Sequence, residues 1–432
     1  MTAEDNPFPA GSQQRAVRWM TRYLRAPAKL GDIREAEGPG KSADRRRAIR
    51  LQTGAIRNLR LYRHVLDQHL RRRPAPAAEA ILLLALAESD HAGGSTAVRP
   101  RLVHSWVDQA REAGLRAGTV RLVNAVLRRA TATLEGIRAD PASVPEAVFT
   151  SHPDWLVERW RERWGPVETS RLLHWNQRTP ELYAHGPAAS PAGEAAGPES
   201  PLQPTRWPHF HRLPRGIPPE VQEGLRAGTW TIRDPATRIA VEATLARPSG
   251  RVLDLCASPG GKSRGLLADP RGPRELVAAD LPPRLGLLRA NLAPWPARAV
   301  ARPVDLGEDD PLPAEHGSFD AVLLDAPCSN TGVLRRRPDA RWRLRPEDLR
   351  ALPPRQLAYL RRAARLVVPG GILVYSTCSL EVEENREVVD AFLGGAEGRA
   401  FRLETAVLAR PTRTGHDGAG VYRMLRDDSP VR

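Results

Sequence analysis

The chain has 432 residues, of which 41% are apolar and only three are cysteines. This length predicts two or three domains with hydrophobic cores of their own, and no stretch approaches the ~18 consecutive apolar residues of a transmembrane helix. The cysteines are too few for a disulfide framework, no Cys/His spacing indicates a metal site, and the first residues do not resemble a secretory signal. We therefore expect a cytoplasmic protein without a metal.

The charge is strongly basic. Lysine and arginine number 65 against 50 acidic residues, which gives a net charge of +15. Only three of the basic residues are lysines, and a GC-rich genome would explain that preference for arginine. It would not explain the excess of basic over acidic residues, which favours a polyanionic partner such as a nucleic acid.

The first part of the chain has helical periodicity. Residues 1–42 are expected to form an N-terminal extension, and residues 43–145 an all-α domain. The stretch "AEAILLLALAESD" is apolar almost all round, which predicts a buried central helix. In "GTVRLVNAVLRRATATL", Thr119 is a candidate N-cap.

Residues 146–235 are interpreted as a helical connector and linker. A Trp- and Arg-rich helix pair is predicted from His152 onward, and its tryptophans are more typical of core packing than of base stacking. Residues 186–204 are rich in Pro, Ala, Gly and Ser and are typical of a flexible linker.

From about Gly250 the pattern changes to strand, turn and helix. Residues 236–432 are predicted to form a doubly wound, Rossmann-like α/β domain, with an antiparallel pair of strands at its end. The predicted parallel strands are "RVLDLCA", "ELVAAD", "ARAVARPVD", "FDAVLLDAP" and "GGILVYSTC". In such a domain the ligand site lies beyond the carboxyl ends of the strands.

Four successive strand ends carry residues suited to a ligand. The first strand runs into "DLCASPGGKS", where adjacent glycines permit a tight turn before a helix N-terminus. The next three strands end on Asp280, Asp305 and Asp325. Carboxylates at such positions can hold ribose hydroxyls, which favours a nucleotide-like cofactor.

Two of the three cysteines lie at matching places. Cys328 follows the fourth strand in "DAPCSN", and Cys378 follows the fifth in "YSTCSL". A buried cysteine at the end of a core strand often has only a packing role. A pair in these two contexts indicates chemistry that needs thiols.

The motifs "LDLCASPGGKS", "LLDAPCSNTGVLRRRPDARW" and "YSTCSLEVEENREVV" closely resemble those of the RNA cytosine-C5 methyltransferases that use S-adenosylmethionine. The helical residues 43–133 resemble the NusB-type RNA-binding domain of the bacterial Fmu/Sun (RsmB) subgroup. The resemblance implies methylation of a cytosine in 16S ribosomal RNA, free or in an assembling small subunit. It also implies that residues 146–235 position the RNA. We expect a monomer.

The resemblance implies roles for individual residues. Cys378 would be the nucleophile, Cys328 would assist product release, and Asp325 would contact the cytosine. Enzymes that methylate DNA attack instead with a Pro-Cys thiol, which would favour Cys328. The residues expected to bind the cofactor are Cys256, Ala257, Ser258, Pro259, Gly260, Gly261, Lys262, Asp280, Asp305 and Asp325.

Other features leave alternatives open. The segment "ELYAHGPAAS" stands where the family usually has an "LRVN"-like strand, and this departure bears on the target base. The same chemistry on transfer RNA or 23S ribosomal RNA is one alternative, and a non-catalytic RNA-binding scaffold is another. Four arginines after the fourth strand are interpreted as facing the RNA backbone, namely Arg335, Arg336, Arg337 and Arg341.

Overall fold

The computed structural model describes residues 10–37, 42–93, 99–186, 201–214, 216–247, 250–308 and 312–428. The chain forms two compact units. The first consists of Met1–Arg178 with Leu334–Leu344, and the second of Thr179–Val333 with Arg345–Arg432. Most of the predicted linker, at 187–200, lies outside the described residues.

The first unit is all-helical over its described residues, as the sequence predicts. Its helices are α1 (Ala10–Arg25), α2 (Leu30–Glu35), α3 (Ser42–Arg57), α4 (Leu59–Asp67), α5 (Pro76–His91), α6 (Arg99–Glu112), α7 (Ala117–Ala139), α8 (Glu146–Phe149), α9 (Asp154–Gln177) and, from later in the chain, α14 (Ala340–Arg343). Helix α5 is the buried central helix, because every side chain from Ala80 to Leu86 is inaccessible to solvent.

Three details of this unit go beyond the sequence analysis. Helix α1 lies within the expected N-terminal extension, yet Trp19 and Met20 are buried in the same core as α5. Thr119 is not the N-cap of α7, since the helix begins two residues earlier and the Thr119 amide already donates to the Arg116 carbonyl. The predicted helix pair is present as α9, which is kinked at Gly165.

The second unit contains the predicted α/β domain. Its strands are β1 (Tyr183–His185), β2 (Gln203–Pro204), β3 (Phe210–Arg212), β4 (Thr231–Ile232), β5 (Arg251–Leu255), β6 (Glu275–Asp280), β7 (Ala299–Pro303), β8 (Phe319–Asp325), β9 (Val367–Thr377), β10 (Phe401–Ala409) and β11 (Ala419–Arg426). Its helices are α10 (Pro219–Ala227), α11 (Thr237–Thr244), α12 (Gly261–Ala268), α13 (Leu285–Leu292), α15 (Asp348–Arg365), α16 (Arg386–Leu393) and α17 (Pro411–Thr414).

Seven strands form one sheet in the order β10-β11-β9-β8-β5-β6-β7. The five strands from β5 to β9 are parallel, and β10 and β11 form the predicted antiparallel pair. Successive residues of the central strands face opposite cores: Leu253 packs with residues of α15 and α16, while Val252 packs with residues of α11, α12 and α13. This two-sided burial is typical of doubly wound folds and confirms the predicted fold class.

Strand order reverses at the neighbouring strands β5 and β8, so the crevice beyond their carboxyl ends is the expected ligand site. A small antiparallel sheet, β2-β3-β1-β4, precedes this domain and was not expected from the sequence. Its strand β1 is formed by the "YAH" of the segment that departs from the family pattern. Within the described ranges, no helix is long and apolar enough to cross a membrane.

Candidate active site

The two cysteines lie side by side at the carboxyl ends of adjacent parallel strands. Cys378 directly follows β9, and Cys328 lies three residues beyond the end of β8. The register aligns Asp325 of β8 with Ser376 of β9, which brings the two turns together. The Sγ atoms are 3.3 Å apart, and both thiols are free and partly exposed.

The turn after Cys328 wraps closely around Cys378. Asn330 has a positive φ of 65°, a conformation that asparagine tolerates better than most residues. Its side-chain Nδ2 donates to the Cys328 carbonyl at 2.7 Å, and its side-chain Oδ1 lies 3.4 Å from the Cys378 Sγ. Gly332 donates its amide to the Cys378 carbonyl, and a Cβ there would lie 2.8 Å from that oxygen. Only glycine therefore permits this close approach of the two turns.

A buried carboxylate joins the two cysteine turns from beneath. Glu384 accepts hydrogen bonds from the Ser329 amide at 2.9 Å and from the Ser379 hydroxyl at 2.7 Å. It also accepts one from Gln356 Nε2 of α15, which in turn donates to the Pro327 carbonyl. Residues flanking both cysteines are thus held by one carboxylate.

Sequence reasoning did not single out Glu384. The acidic sequence after the Thr-Cys-Ser turn, "LEVEENREVV", predicts a helix that begins directly after the turn, but α16 begins only at Arg386. The intervening residues form the turn that carries Glu384, and Asn385 fixes that turn by donating to the carbonyls of Ser379 and Glu381. The signal for Glu384 in the sequence is the acidic pair of "LEVEEN". If these residues begin a helix, their carboxylates are expected to face solvent, so the pair does not indicate a buried residue.

The environment of Cys328 changes the ionisation of its thiol. The hydrogen bond with Cys378, burial, and the negative charges of Cys378 and Glu384 raise the pKa of Cys328 well above its usual range. Cys328 therefore keeps its proton at neutral pH and can donate it toward the Cys378 sulfur. A thiol that stays protonated is a poor nucleophile, because only the thiolate attacks.

The single lysine of the catalytic domain lies beside these thiols. Lys262 Nζ is 2.7 Å from Asp325 Oδ2, at the end of β8. Burial lowers the pKa of Lys262, but the charge and hydrogen bond of Asp325, together with the charge of the Cys378 sulfur, raise it more, so the net shift is upward. Lys262 is therefore cationic at neutral pH.

The Gly-rich turn after β5 has the strained geometry of a close backbone approach. Cys256 has a φ of 58° and Gly260 a φ of 98°. Asp280, at the end of β6, accepts hydrogen bonds from the Ser258 and Leu281 amides, both at 2.8 Å. Burial, followed by the nearby charge of Asp280, raises the pKa of Cys256, which makes this thiol a packing group.

A pocket lies between this turn and the neighbouring strand ends. Its lining includes Cys256, Asp280, Leu281, Asp305 and Pro327. Expected cofactor residues from three strand ends are therefore together, and Pro327 connects the pocket to the cysteine turn. Carboxylates beside apolar side chains suit a ligand with a hydroxyl-rich part and a flat apolar part.

The arginines after β8 do not all lie where the sequence analysis placed them. Arg341 is fully buried in the first unit, where it donates to the carbonyls of Thr150, Ser151 and Asn176. Arg335 is also buried, with its guanidinium over the Trp175 ring. Both residues are structural, and of the four only Arg337 is exposed. A run of arginines gives no signal in the sequence that separates these roles.

The chain is similar to known proteins over most of its length. Residues 243–417 match the family described as 16S rRNA methyltransferase RsmB/F. Ribosomal RNA small subunit methyltransferase B of Thermus thermophilus is 33% identical over 397 residues, which cover 89% of this chain and 86% of that protein. The chain belongs to the RsmB/F family of 16S rRNA methyltransferases. The family predicted from the motifs is therefore confirmed, and the chain is a methyltransferase.

Further relatives agree with this assignment. The probable ribosomal RNA small subunit methyltransferase B of Synechocystis is 30% identical over 378 residues and covers 82% of each chain. Among solved structures, PH0851 aligns over 97% of this chain and 99% of its own, with a TM-score of 0.74 and 20% identity. This likeness concerns the fold, and it covers both units.

Proposed function

We propose that this methyltransferase transfers a methyl group from S-adenosylmethionine to C5 of a cytosine in 16S ribosomal RNA, through a covalent bond between Cys378 and C6 of that cytosine. The observation that carries the proposal is the pair of thiols 3.3 Å apart, of which one is held protonated beside the other. A packing role for cysteines requires neither the close pair nor the lysine beside it.

Cys378 is the nucleophile in this proposal. Its thiolate adds to C6 of the cytosine and forms a C–S bond, which moves electron density to C5 and makes that carbon nucleophilic. The positive charge of Lys262 acts on the attacking sulfur, and the protonated Cys328 does not compete with it. The Pro-Cys arrangement of DNA enzymes is disfavoured here, because the positive charge of Lys262 acts on the Cys378 sulfur, whereas the carboxylate of Glu384 acts on Cys328.

Asp325 and Lys262 orient the base and balance its charge. Asp325 lies at the end of β8, where its carboxylate is positioned to accept a hydrogen bond from the exocyclic amine or a protonated N3 of cytosine. Its ion pair with Lys262 fixes the direction of this carboxylate. Such preorganised charges stabilise the adduct without reorganisation at the moment of reaction.

Release of the product reverses the first bond. After the methyl group is on C5, a water molecule takes the C5 proton. The electrons of the C5–H bond re-form the C5–C6 double bond, and the Cys378 sulfur leaves with the electrons of the C–S bond. Cys328 Sγ is positioned to hydrogen-bond to that departing sulfur, because the two atoms are already 3.3 Å apart. Assisting this elimination is the role we propose for Cys328.

The cofactor residues fit S-adenosylmethionine, which supplies an electrophilic methyl group on a sulfonium. The pocket combines the buried carboxylate of Asp280 with apolar walls. Each oxygen of Asp280 accepts one backbone amide, and a carboxylate has about four acceptor sites, so capacity for ribose hydroxyls remains. We assign the turn Cys256–Lys262 to the methionine part, Asp280 to the ribose and Asp305 to the adenine side.

The names of the relatives support small-subunit ribosomal RNA as the substrate. We propose that residues 43–145 act as a NusB-like RNA-binding domain and that 146–235 position the RNA. Transfer RNA and 23S ribosomal RNA remain the alternative substrates, but no feature of the described residues favours them.

A methylation assay tests the proposal. The whole chain is incubated with S-adenosylmethionine carrying a labelled methyl group and with unmodified transcripts of 16S ribosomal RNA, 23S ribosomal RNA and transfer RNA. Label recovered as 5-methylcytidine in 16S ribosomal RNA alone supports the proposal. Label on another base would contradict the chemistry, and label in another RNA would contradict the substrate.

A further inference from the structure

Many arginines of the first unit are neutralised by carboxylates of the same unit. The ion pairs are Arg18–Glu37, Arg47–Glu88, Arg60–Asp154, Arg63–Glu79, Arg99–Glu135, Arg138–Asp90, Arg161–Glu146 and Arg171–Glu168. A high arginine content alone therefore does not make the surface of this unit basic. Its positive potential depends on arginines without such partners.

One face of α7 is different. Residues 116–134 contain no aspartate or glutamate, and their arginines at 116, 121, 128 and 129 are all exposed. Within the described ranges, none of the four forms an ion pair. The side-chain hydrogen bonds of Arg128 and Arg129 go only to Asn124 and Ala125 of the same helix, each at 3.4 Å.

The loop between α4 and α5 extends this face. It carries three consecutive exposed arginines, Arg71, Arg72 and Arg73, and no acidic residue lies between 68 and 78. The loop is attached to α7 because His69 Nε2 lies 2.9 Å from Thr133 Oγ1. Burial, and then the charge of Arg129, lowers the pKa of His69, so Arg129 lies near the base of this loop.

A groove borders the other side of α7. It lies between α6 and α7, has a volume of about 390 Å³, and is lined by Arg99, His104, Arg111, Asn124 and Arg128 among others. Arg99 and Arg111 pair with Glu135 and Asp108, so Arg128 supplies the uncompensated charge of the groove. Unpaired positive charge thus runs from the groove across α7 to the loop.

We propose that this surface, the α7 basic face (Arg71, Arg72, Arg73, Arg116, Arg121, Arg128 and Arg129), binds the phosphodiester backbone of the RNA substrate. The inference rests on the proposed function and names the part of the first unit that holds the RNA. Guanidiniums bind phosphates because this binding releases counterions that are condensed on the RNA. An arginine without a carboxylate partner can bind a phosphate without first breaking an ion pair. A protein partner is disfavoured, since Leu122 is the one large apolar side chain exposed on this helix, whereas protein interfaces have an apolar core.

The test compares two triple variants with equal loss of charge. In the α7 triple variant, Arg121→Gln, Arg128→Gln and Arg129→Gln remove unpaired arginines. In the matched control, Arg18→Gln, Arg161→Gln and Arg171→Gln remove exposed arginines that are ion-paired in the same unit. Binding of the whole chain to a 16S ribosomal RNA transcript is measured by filter binding at several salt concentrations.

We expect the α7 triple variant to bind RNA on the order of 10- to 100-fold more weakly at physiological salt, with a log–log salt slope reduced by about two. The control should change both quantities much less. In methyl transfer, KM for RNA should rise while kcat at saturating RNA stays within about two-fold, because the chemistry lies elsewhere. Affinity for S-adenosylmethionine should not change.

Equal weakening by both triple variants would overturn the proposal, because net charge alone would then explain binding. Unchanged RNA binding by the α7 triple variant would also overturn it and would leave this face for an acidic protein. If the α7 triple variant does not fold, Arg71→Gln, Arg72→Gln and Arg73→Gln in the loop provide the same comparison. Failure of the wild type to methylate any RNA would contradict the proposed function, while the binding comparison would still decide the role of the surface.

Discussion

At the scale of single residues, the two cysteines lie at matching strand ends but have different charged neighbours. Both follow parallel strands, and their sulfurs are in contact. Cys328 has the negative charge of Glu384 near it, whereas Cys378 attracts the ammonium of Lys262. The surroundings therefore keep the proton on Cys328 and place a cation within electrostatic reach of the Cys378 sulfur, which suits the proposed division of roles.

Asp280 provides a prediction about the cofactor. Asp280→Ala removes the proposed acceptor for ribose and leaves the backbone amides of Ser258 and Leu281 without their partner. We expect affinity for S-adenosylmethionine to fall by about 1–3 kcal/mol in calorimetric titration, with a small loss of thermal stability. Glu308→Ala is the control, since Glu308 is exposed three residues after Asp305 and has no assigned role in cofactor binding. An equal loss in both variants would contradict the assignment of the ribose to Asp280.

His152 predicts a pH dependence of stability in the first unit. It is fully buried, and burial, followed by the charge of Arg341, lowers its pKa well below 6.5. Below that pH the unfolded chain binds a proton that the folded chain does not, so stability falls as the pH is lowered. The expected cost is about 1.4 kcal/mol for each pH unit below about 6.5, until the folded-state pKa is reached.

Urea denaturation of the whole chain between pH 7.5 and 5 measures this effect. His152→Asn should be less stable at pH 7.5 but should lose less stability on acidification than the wild type. His104→Asn serves as the control, because His104 is exposed on α6. A wild-type slope retained in His152→Asn would assign the pH dependence to other groups.

At the scale of elements, Glu384 connects two strand-end turns to a helix. It accepts hydrogen bonds from residues after β8, after β9 and on α15, so the separation of the cysteines depends on it. Burial raises the pKa of Glu384, and the hydrogen bonds from Ser329 and Ser379 offset part of that rise. We regard Glu384 as a positioning residue, since it contacts the neighbours of both cysteines.

Glu384→Ala should lower kcat for methyl transfer by on the order of 10- to 100-fold, because two or more donors lose their acceptor and the turns relax. Affinity for S-adenosylmethionine should not change. Glu384→Gln keeps one acceptor oxygen and should restore part of the rate, which a general loss of stability would not explain. Glu387→Ala, at an exposed position nearby, should have near wild-type kcat. Wild-type kcat in Glu384→Ala would contradict the positioning role.

The segment Leu334–Leu344 packs in the first unit, although it is distant in sequence from the rest of that unit. It belongs to the first unit, where Trp342 Nε1 donates to the Ile56 carbonyl and Arg341 donates to carbonyls around α8 and α9. Burial lowers the pKa of Arg341 to about 9, so it remains charged at neutral pH. Replacing it would leave these carbonyls unpaired.

Arg341→Met should therefore lower the free energy of unfolding by about 2–4 kcal/mol. Arg337→Met removes an exposed arginine of the same segment and should cost less than about 0.5 kcal/mol. Chemical denaturation of the two variants and the wild type gives the comparison. Equal stability of the two variants would show that Arg341 does not anchor this segment.

At the scale of the whole molecule, the catalytic half was predictable because its signals are local. Alternating strand and helix patterns and strand-end motifs depend on residues close in the chain, and the predicted strands match β5 to β11. The first unit was predictable only in its class. The burial of α1 and of Arg341 depends on contacts between segments far apart in sequence, which periodicity does not reveal.

The candidate site was likewise predictable where its signals are local in sequence and not where they depend on contacts between strands. Cys328, Cys378 and Asp325 lie in recognisable motifs, and the structure brings the two thiols together. The partner of Lys262 and the role of Glu384 follow from how neighbouring strand ends align, which depends on the register of β8 and β9. The prediction that Arg335 and Arg341 face RNA was wrong, because the sequence after β8 does not distinguish buried arginines from exposed ones.

The central claim is that Cys378 attacks the cytosine and Cys328 releases it. The most direct measurement incubates wild type, Cys378→Ala and Cys328→Ala with unmodified 16S ribosomal RNA and S-adenosylmethionine, followed by denaturing electrophoresis. We predict a stable protein–RNA species in Cys328→Ala alone, because that variant adds and methylates but does not eliminate, and no methyl transfer by Cys378→Ala. A trapped species in Cys378→Ala would reverse the two roles, and full activity without trapping in both variants would contradict covalent catalysis by this pair.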